Sequence, residues 1–379
     1  MVRKKIIAAV KRVVIKIGTS TVIDSNGHIN KIFLKNFALS IQKLKKKNIE
    51  VCIVSSGAIG AGMEVLDLKK KPNKIPYVQA LASIGQIEVI SGFRDIFAEF
   101  DLSIGQILIT HEVLNDRTRY LNTRNTINAL FELNCIPVIN ENDTVSIEEL
   151  TFGDNDKLAS LVTNLIEADL LILLSDIDGL MTADPKIDPN AVLIKEVTET
   201  TPEILNLAGP SKSETGKGGL ATKLVAANIV NSCGEAMIIA NSKIENVIDK
   251  IMNGEELGTF FHPNSKNLQS RKRWLAFNLS ERGSIEIDDG AVKALEKNGK
   301  SLLPAGILNV KGDFEINDLV LIIDEEGKVI GKGLSNYSFE DVNKIKGLQT
   351  KEIESVLGRH IYDSVIHRDH MVLIKEGPN

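Results

Sequence analysis

Short apolar runs alternate with amphipathic stretches between residues 12 and about 240. The apolar runs predict buried strands over residues 13–17, 51–54, 104–109, 136–139, 170–174 and 236–240. Apolar positions at helical spacing predict helices over residues 31–47, 75–100 (as one helix or two), 118–133, 220–232 and 247–252. This alternation is typical of a parallel sheet with helices on both faces.

The pattern changes after the polar segment at residues 264–273. Short strand-like runs separated by glycines follow at residues 283–287, 302–304, 306–308, 319–323 and 329–333, with one helix at about 289–297. We therefore predict an α/β domain over residues 1–265, a linker over 266–279, and a small, mainly β domain over 280–379.

Composition narrows the class of protein. The 379 residues carry a net charge of −5, which argues against a whole-protein nucleic-acid binder without excluding a local basic patch. Cys52, Cys135 and Cys233 lie far apart among apolar or small residues, so we interpret them as reduced core residues. The N-terminal apolar stretch is too short for a signal peptide, and no run has membrane-spanning length. We expect a cytoplasmic protein that does not bind a membrane.

The stretch from residue 138 to residue 157 holds the densest polar chemistry. A predicted strand ends in Asn140, Glu141, Asn142 and Asp143, and a second cluster, GDND at 153–156, precedes a predicted helix. Polar side chains at strand C-termini and helix N-termini are where α/β proteins bind substrates. These groups can bind a cationic amine and orient a reacting group. The alternative is that Asp154 or Asn155 only caps the helix.

Lysines and glycine-rich loops provide candidate anion sites. Lys16 lies inside a predicted strand, which is costly unless it meets an anion or the strand is at an edge. Residues 55–62 (SSGAIGAG) join a strand to a helix, but their glycine spacing fits neither a P-loop nor a dinucleotide site. Residues 215–223 (TGKGGLATK) are suited to phosphates, or form a flexible linker with solvated lysines.

Phosphoryl transfer needs a set of this kind. Catalysis consists mainly of positioning and of neutralising charge on the transferring group. Two lysines on opposite sides of that group serve this purpose, and a carboxylate between them can hold both without acting as a base. The sequence contains no evident Ser-His-Asp or Cys-His set.

The motifs together closely resemble the glutamate 5-kinase family of the amino-acid-kinase superfamily, which begins proline synthesis. They are VIKIGTS at 14–20, SSGAI at 55–59, PVINEND at 137–143, GDND at 153–156 and GGLATK at 218–223. Residues 280–360, with SLLPAGI at 301–307, resemble the PUA domain that many members carry. The resemblance implies a three-layer α/β/α amino-acid-kinase domain followed by a PUA-like domain.

The resemblance also implies residue roles. Lys16 and Lys223 would contact the phosphates, and Asp156 would organise these lysines. Ser56 and the Gly57 amide would hold the γ-carboxylate, while Asp143, Asp154 and Asn155 would bind chiefly the amino group of glutamate. ATP would bind to Lys16, Ser175, Asp176, Lys217, Gly218, Gly219, Leu220, Ala221, Thr222 and Lys223. Mg²⁺ would bind through the phosphates, with few protein ligands and no dedicated metal site.

Two positions depart from the family pattern. Ser175 stands where Thr is common, and Lys217 replaces a small polar residue. The resemblance further implies γ-glutamyl phosphate as product, proline as feedback inhibitor, a homo-oligomer (dimer or tetramer), and functional coupling to glutamyl-phosphate reductase.

Two other functions compete with this interpretation. One is a sister kinase acting on aspartate, N-acetylglutamate, carbamate or a nucleotide, against which the 140–143 and 153–156 motifs and the PUA-like tail count. The other is an RNA-binding protein that acts through the PUA-like domain. Acidic residues in this domain disfavour a phosphate-backbone contact: Asp313, Glu315, Asp318, Asp324, Glu325, Glu326, Glu340 and Asp341.

Overall fold

The computed structural model shows two compact units, Met1–Leu268 and Gln269–Asn379. It describes residues 2–24, 27–110, 113–114, 116–146, 155–183, 188, 190–201, 203–204, 207, 219–264, 281–316, 318–359 and 362–373.

A mainly parallel sheet forms the centre of the first unit. Its strands in the described residues are β1 (Arg12–Ile17), β2 (Glu50–Val54), β3 (Ile104–Ile109), β4 (Ile136–Glu141), β5 (Leu170–Ser175), β6 (Glu196–Val197), β7 (Ala236–Asn241) and β8 (Thr259–Phe261). Their order is β3-β4-β2-β1-β5-β7-β8-β6, and β8 alone among the described pairings runs antiparallel, to β7. The predicted parallel α/β class is confirmed, while β6 and β8 were not predicted.

Helices cover this sheet. In the described part of the first unit they are α1 (Val2–Ala8), α2 (Thr19–Val22), α3 (Lys31–Lys46), α4 (Ala58–Val65), α5 (Ile75–Ala98), α6 (Arg117–Glu132), α7 (Asn155–Leu165), α8 (Leu220–Ser232) and α9 (Val247–Met252). Helix α3 packs against α5 and α9, whereas α7 packs against α8 and β1. Residues 75–98 form one helix, which settles the alternative of one helix or two.

Strand β1 lies in the interior of the sheet. It pairs in parallel with β2 on one side and β5 on the other, so Lys16 is opposite Val54 and Leu173. The neighbouring positions Ile15 and Ile17 are fully buried, as expected for a central strand covered on both faces. The edge-strand alternative for Lys16 is therefore wrong, and its ammonium group needs a partner inside the fold.

Two glycines allow α4 and α5 to make an unusually close contact. A Cβ atom on Gly85 would lie 1.8 Å from the carbonyl oxygen of Ala58, and one on Gly62 would lie 2.0 Å from that of Leu81. Only a residue without a Cβ atom fits at either position. This contact fixes the first turn of α4 against the middle of α5.

The second unit contains a smaller sheet. In its described residues the strands are β9 (Gly283–Ile287), β10 (Ile307–Gly312), β11 (Leu319–Ile323), β12 (Val329–Leu334) and β13 (Met371–Leu373), in the order β10-β9-β11-β12-β13. Helix α10 (Asp289–Asn298) was predicted, whereas α11 (Phe339–Ile345) and α12 (Ile353–Leu357) were not. The predicted small, strand-rich domain is confirmed.

The N-terminal stretch is part of the first unit. Residues 2–8 form α1, and Arg3 is almost fully buried, with its guanidinium donating to the carbonyl oxygen of Leu257 at 2.5 Å. Cys52 and Cys233 are buried as predicted, but Cys135 is only half-buried, so its assignment to the core is wrong. In the described part of the chain, no helix has the length and apolar character needed to cross a membrane.

Candidate active site

Two lysines from distant parts of the sequence bind one buried carboxylate. Lys16 lies near the end of β1 and Lys223 in the first turn of α8, while Asp156 is the second residue of α7. The Nζ atom of Lys16 lies 2.6 Å from Oδ1 of Asp156, and the Nζ atom of Lys223 lies 2.8 Å from Oδ2. Asp156 is 0% exposed and the two lysines are 7% and 5% exposed, so all three charges are withdrawn from bulk water.

The electrostatics of this cluster determine what Asp156 can do. Burial favours the neutral acid, but the positive charges of Lys16 and Lys223 outweigh burial and hold the pKa of Asp156 well below its ordinary value. A carboxylate with so low a pKa is a weak base. Asp156 is therefore suited to holding the two ammonium groups in place rather than to taking up a proton.

Asn155 connects three neighbouring elements. It is the first residue of α7, and its Nδ2 atom lies 3.0 Å from Oγ of Ser56 and 2.8 Å from Oδ1 of Asn140. The same nitrogen donates to the carbonyl oxygen of Ser55. These contacts join the end of β4, the turn after β2 and the start of α7. The side chain thus links other elements, which goes beyond the capping role that was the alternative.

The turn after β2 presents backbone N–H groups at the start of α4. Gly57 has a φ of 103°, in the left-handed region, and directly precedes the helix. A side chain there is strained, and its Cβ atom would lie 3.0 Å from Ile23. Ser56, which directly precedes Gly57 in this turn, is half-buried. A helix N-terminus with a neighbouring hydroxyl is suited to binding an anion such as a carboxylate.

Among the residues predicted to bind ATP, Ser175 and Asp176 lie at the C-terminal end of β5, and Gly219 to Lys223 lie at the start of α8. Ser175 is buried and donates to Oδ1 of the exposed Asp176 at 3.1 Å. Thr222 lies 3.4 Å from Oδ2 of Asp156 and donates to the carbonyl oxygen of Gly219 at 2.7 Å. Leu220 and Ala221 form the first turn of α8 together with Thr222. The start of α8 therefore adjoins the lysine–carboxylate cluster.

Some predicted positions fall elsewhere. Asp154, Lys217 and Gly218 lie outside the described residues. Asp143 is half-buried in the turn that follows β4. Within the described part of the chain, no group of three His, Cys, Asp or Glu side chains is placed to hold a metal ion.

Sequence reasoning missed two glutamines on α5. Oε1 of Gln86 accepts a hydrogen bond from Nδ2 of Asn140 at 2.8 Å, and Gln79 donates to the carbonyl oxygen of Ser146 at 3.2 Å. Both are half-buried; Gln86 contacts the end of β4, whereas Gln79 contacts the segment that follows this strand. Their spacing of two helical turns on an otherwise apolar stretch places both glutamines on one face of the helix. The sequence does not reveal which element that face contacts.

Comparison with known proteins places this geometry in a family. A model of the amino acid kinase family matches residues 11–241, and a PUA domain model matches residues 283–357. A protein named glutamate 5-kinase from Caldanaerobacter subterraneus is 47% identical over 97% of this chain and 98% of its own length. Another of that name, from Citrifermentans bemidjiense, is 45% identical over 98% of this chain and 100% of its own.

The chain belongs to the glutamate 5-kinase family. The resemblance found in the motifs is thereby confirmed, as is the PUA domain at the C-terminal end. Among solved structures, UMP kinase from Bacillus anthracis is 17% identical over 68% of this chain and 97% of that chain, with a TM-score of 0.47. At that score the likeness adds nothing to the family assignment.

Proposed function

We propose that the chain transfers the γ-phosphoryl group of ATP to the γ-carboxylate of L-glutamate, the first step of proline synthesis from glutamate. The observation that supports this most directly is the convergence of Lys16 and Lys223 on Asp156, in a chain of the glutamate 5-kinase family. Two ammonium groups that share one carboxylate leave an excess of positive charge where a phosphoryl group is to be transferred.

The reaction requires no general base. A γ-carboxylate oxygen of glutamate attacks the γ-phosphorus, the bond from that phosphorus to the β,γ-bridging oxygen breaks, and ADP leaves with the bond's electron pair. The products are γ-glutamyl 5-phosphate and ADP. Since a glutamate side chain has a pKa of about 4.3, the nucleophile is already ionised at neutral pH. The weakly basic Asp156 fits this chemistry.

The lysines stabilise the charge that moves during transfer. Negative charge shifts from the γ-phosphoryl group to the β-phosphate as the bond breaks. Lys16 on β1 and Lys223 on α8 approach the site from different elements. Because Asp156 fixes both Nζ atoms in advance, little reorganisation is needed when the charge develops.

Glutamate is proposed to bind beside Asn155. Its γ-carboxylate would accept hydrogen bonds from the Gly57 amide and Ser56, at the N-terminus of α4. Its amino group would bind to Asn155, Asp143 and Asp154. Asn155 already contacts Ser56, so the groups proposed for the two ends of glutamate are directly connected.

ATP is proposed to bind across Ser175, Asp176 and the loop from Lys217 to Lys223. The described residues provide cations and hydroxyls there and lack a three-ligand metal cluster. Mg²⁺ would arrive with ATP, bound through phosphate oxygens. When bound, it would neutralise part of the phosphate charge alongside the two lysines.

Further partners follow from the same assignment. Free proline, the end product, is proposed as feedback inhibitor, and the chain as a cytoplasmic homo-oligomer, a dimer or tetramer. An acyl phosphate is prone to hydrolysis, so coupling to glutamyl-phosphate reductase is proposed as the route that consumes it.

Hydroxylamine trapping tests the proposal. The purified chain with Mg-ATP should form hydroxamate with glutamate and not with aspartate or N-acetylglutamate. With UMP as the acceptor, the chain should release no ADP from ATP. Lys223→Ala and Asp156→Ala should abolish the signal. If well-folded protein reacts with another acceptor instead, a sister kinase is the better assignment. If no acceptor reacts, a salt-dependent shift of RNA would identify a binding role for the PUA domain.

A further inference from the structure

We infer that Gln86 is a positioning residue that helps to hold the Asn155 amide with its oxygen facing the substrate. The inference rests on the proposed function in taking glutamate as the ligand. Gln86 lies in α5, which carries none of the residues assigned to substrate or nucleotide. It reaches Asn155 through one intermediate residue, Asn140, near the end of β4.

The three amides form a chain of hydrogen bonds with a single direction. A primary amide donates only from its nitrogen and accepts only at its oxygen. The nitrogen of Asn140 donates to Oε1 of Gln86 at 2.8 Å, so the oxygen of Asn140 points the other way. That oxygen accepts from Nδ2 of Asn155, also at 2.8 Å. With its oxygen facing Asn140, Gln86 therefore stabilises this orientation of Asn140, and Asn140 in turn stabilises that of Asn155.

The surroundings of Asn155 strengthen this preference. Its nitrogen lies within hydrogen-bonding distance of three oxygens, on Ser55, Ser56 and Asn140. A reversed amide would place Oδ1 against the carbonyl oxygen of Ser55 and, in the present orientation of Asn140, against a second acceptor. The Oδ1 atom of Asn155 is therefore directed away from these groups.

The direction of this oxygen matters for recognition. A carbonyl oxygen accepts a hydrogen bond from an ammonium group, whereas an NH₂ group in the same place would repel it. We thus assign Oδ1 of Asn155 to the amino group of glutamate, and we assign its orientation to Ser55 together with the relay from Gln86 through Asn140. Asn140 is 3% exposed, so bulk water cannot readily replace the acceptor that Gln86 provides.

Gln86→Met tests the relay, because it removes the acceptor while keeping the length of the side chain. We expect the KM for glutamate to rise roughly tenfold, the effect of stranding one buried donor, with less than a twofold change in the KM for ATP. Gln86→Glu keeps an acceptor oxygen and should stay within about threefold of the wild type. The matched control is Gln42→Met on α3, where a half-buried glutamine donates to the carbonyl oxygen of Phe100 at 2.9 Å.

A second measurement needs no substrate. The side-chain amide NMR signals of Asn140 and Asn155, assigned from single substitutions, should shift in Gln86→Met and remain in place in Gln42→Met. The relay would be overturned if Gln86→Met left the Asn140 and Asn155 signals unchanged, or if it raised the KM values for glutamate and ATP equally. So would a Gln86→Glu variant as impaired as Gln86→Met. If the wild type itself fails to use glutamate, the proposed function falls, and the NMR result alone decides whether Gln86 orients Asn155.

Discussion

Asn155 and Asp156 are neighbours in sequence, but their side chains bind different groups of the site. Asn155 contacts Ser56 and Asn140, on the proposed substrate side, while Asp156 contacts Lys16 and Lys223, on the proposed phosphate side. One peptide unit at the start of α7 therefore sets the spacing between the two proposed binding sites. Positioning of this kind is a large part of what a phosphoryl-transfer enzyme contributes.

Replacing Lys223 with Met should lower kcat by about 100-fold or more, in line with the loss of one preorganised electrostatic contact. The protein should remain folded, because Lys16 still pairs with Asp156. Initial rates of hydroxamate formation at saturating substrates measure the effect. The control is Lys43→Met, which removes an exposed ion pair to Asp249 of 2.6 Å, and should leave kcat unchanged. A comparable fall in both variants would contradict the role of Lys223.

Replacing Asp156 with Asn should lower the free energy of unfolding by about 3–5 kcal/mol, because two buried ammonium groups lose their shared counter-charge. Chemical denaturation at neutral pH measures this difference. A stability equal to that of the wild type would show that Lys16 and Lys223 do not depend on Asp156.

The same pair of proteins should differ in their response to acid. The pKa of Asp156 is lowered by folding, so its contribution to stability is complete above the pKa of an unfolded Asp, about 3.9. That contribution is lost as the pH falls below about 4 towards the folded pKa. The stability difference between wild type and Asp156→Asn should therefore be constant from pH 7 to 5 and shrink at lower pH. A difference that grows on acidification would contradict a lowered pKa of Asp156 in the folded protein.

Gly85→Ala should destabilise the protein and raise the KM for glutamate. The new methyl group would lie 1.8 Å from the carbonyl oxygen of Ala58, so α4 must move, and the anion site at Gly57 moves with it. Overpacking of this kind typically costs about 1–3 kcal/mol. Thermal unfolding and steady-state kinetics measure both effects.

Gly60→Ala is the matched control for this substitution. It lies in α4, where the new methyl group would meet its nearest neighbour, Ile23, at an ordinary 3.8 Å. A methyl group there favours the helix by about 1 kcal/mol, so the protein should be as stable as the wild type or more so. Equal losses in Gly60→Ala and Gly85→Ala would point to backbone effects instead of the α4–α5 contact.

The three thiols should react in a defined order. Burial raises the pKa of Cys52 well above its ordinary value, and Cys233 is also buried, whereas Cys135 is half-buried. An aromatic disulfide reagent should label Cys135 first and Cys52 only after unfolding. Cys135→Ser should abolish the fast phase of the labelling reaction. A fast phase that persists in this variant would show that one of the buried thiols is accessible.

The sequence pattern was sufficient to predict most strands of the first unit, whereas the members of the charged cluster were named from the family resemblance. Apolar runs indicate burial directly. The chemistry of phosphoryl transfer favours two lysines with a carboxylate between them, but it did not single out Asp156. The sequence could not decide whether Lys16 lies on a central or an edge strand. Strand order is a property of the whole sheet, and either neighbour of β1 could have been absent. Only the pairing of β1 with both β2 and β5 excludes an edge position for this strand.

The contact between Gln86 and Asn140 was not predicted for a related reason. A glutamine on a long helix is most often solvated, and its partner Asn140 is 54 residues away in the chain. Helix α1 was missed because a seven-residue segment carries too few turns for a reliable periodicity. The roles of Asp154 and Lys217 remain predictions from the motifs, since both residues lie outside the described structure.

Helix α7 is buried over almost its whole length, with every residue from Leu158 to Leu165 covered. Its backbone amides should therefore exchange with solvent only when a large part of the unit opens. Glutamate and ATP would then find Asn155 and Asp156 already in place, so little conformational entropy is lost at these two residues on binding. Protection gained with ligands should appear in segments that flank the site, while α7 exchanges as slowly in the free protein as in the complex.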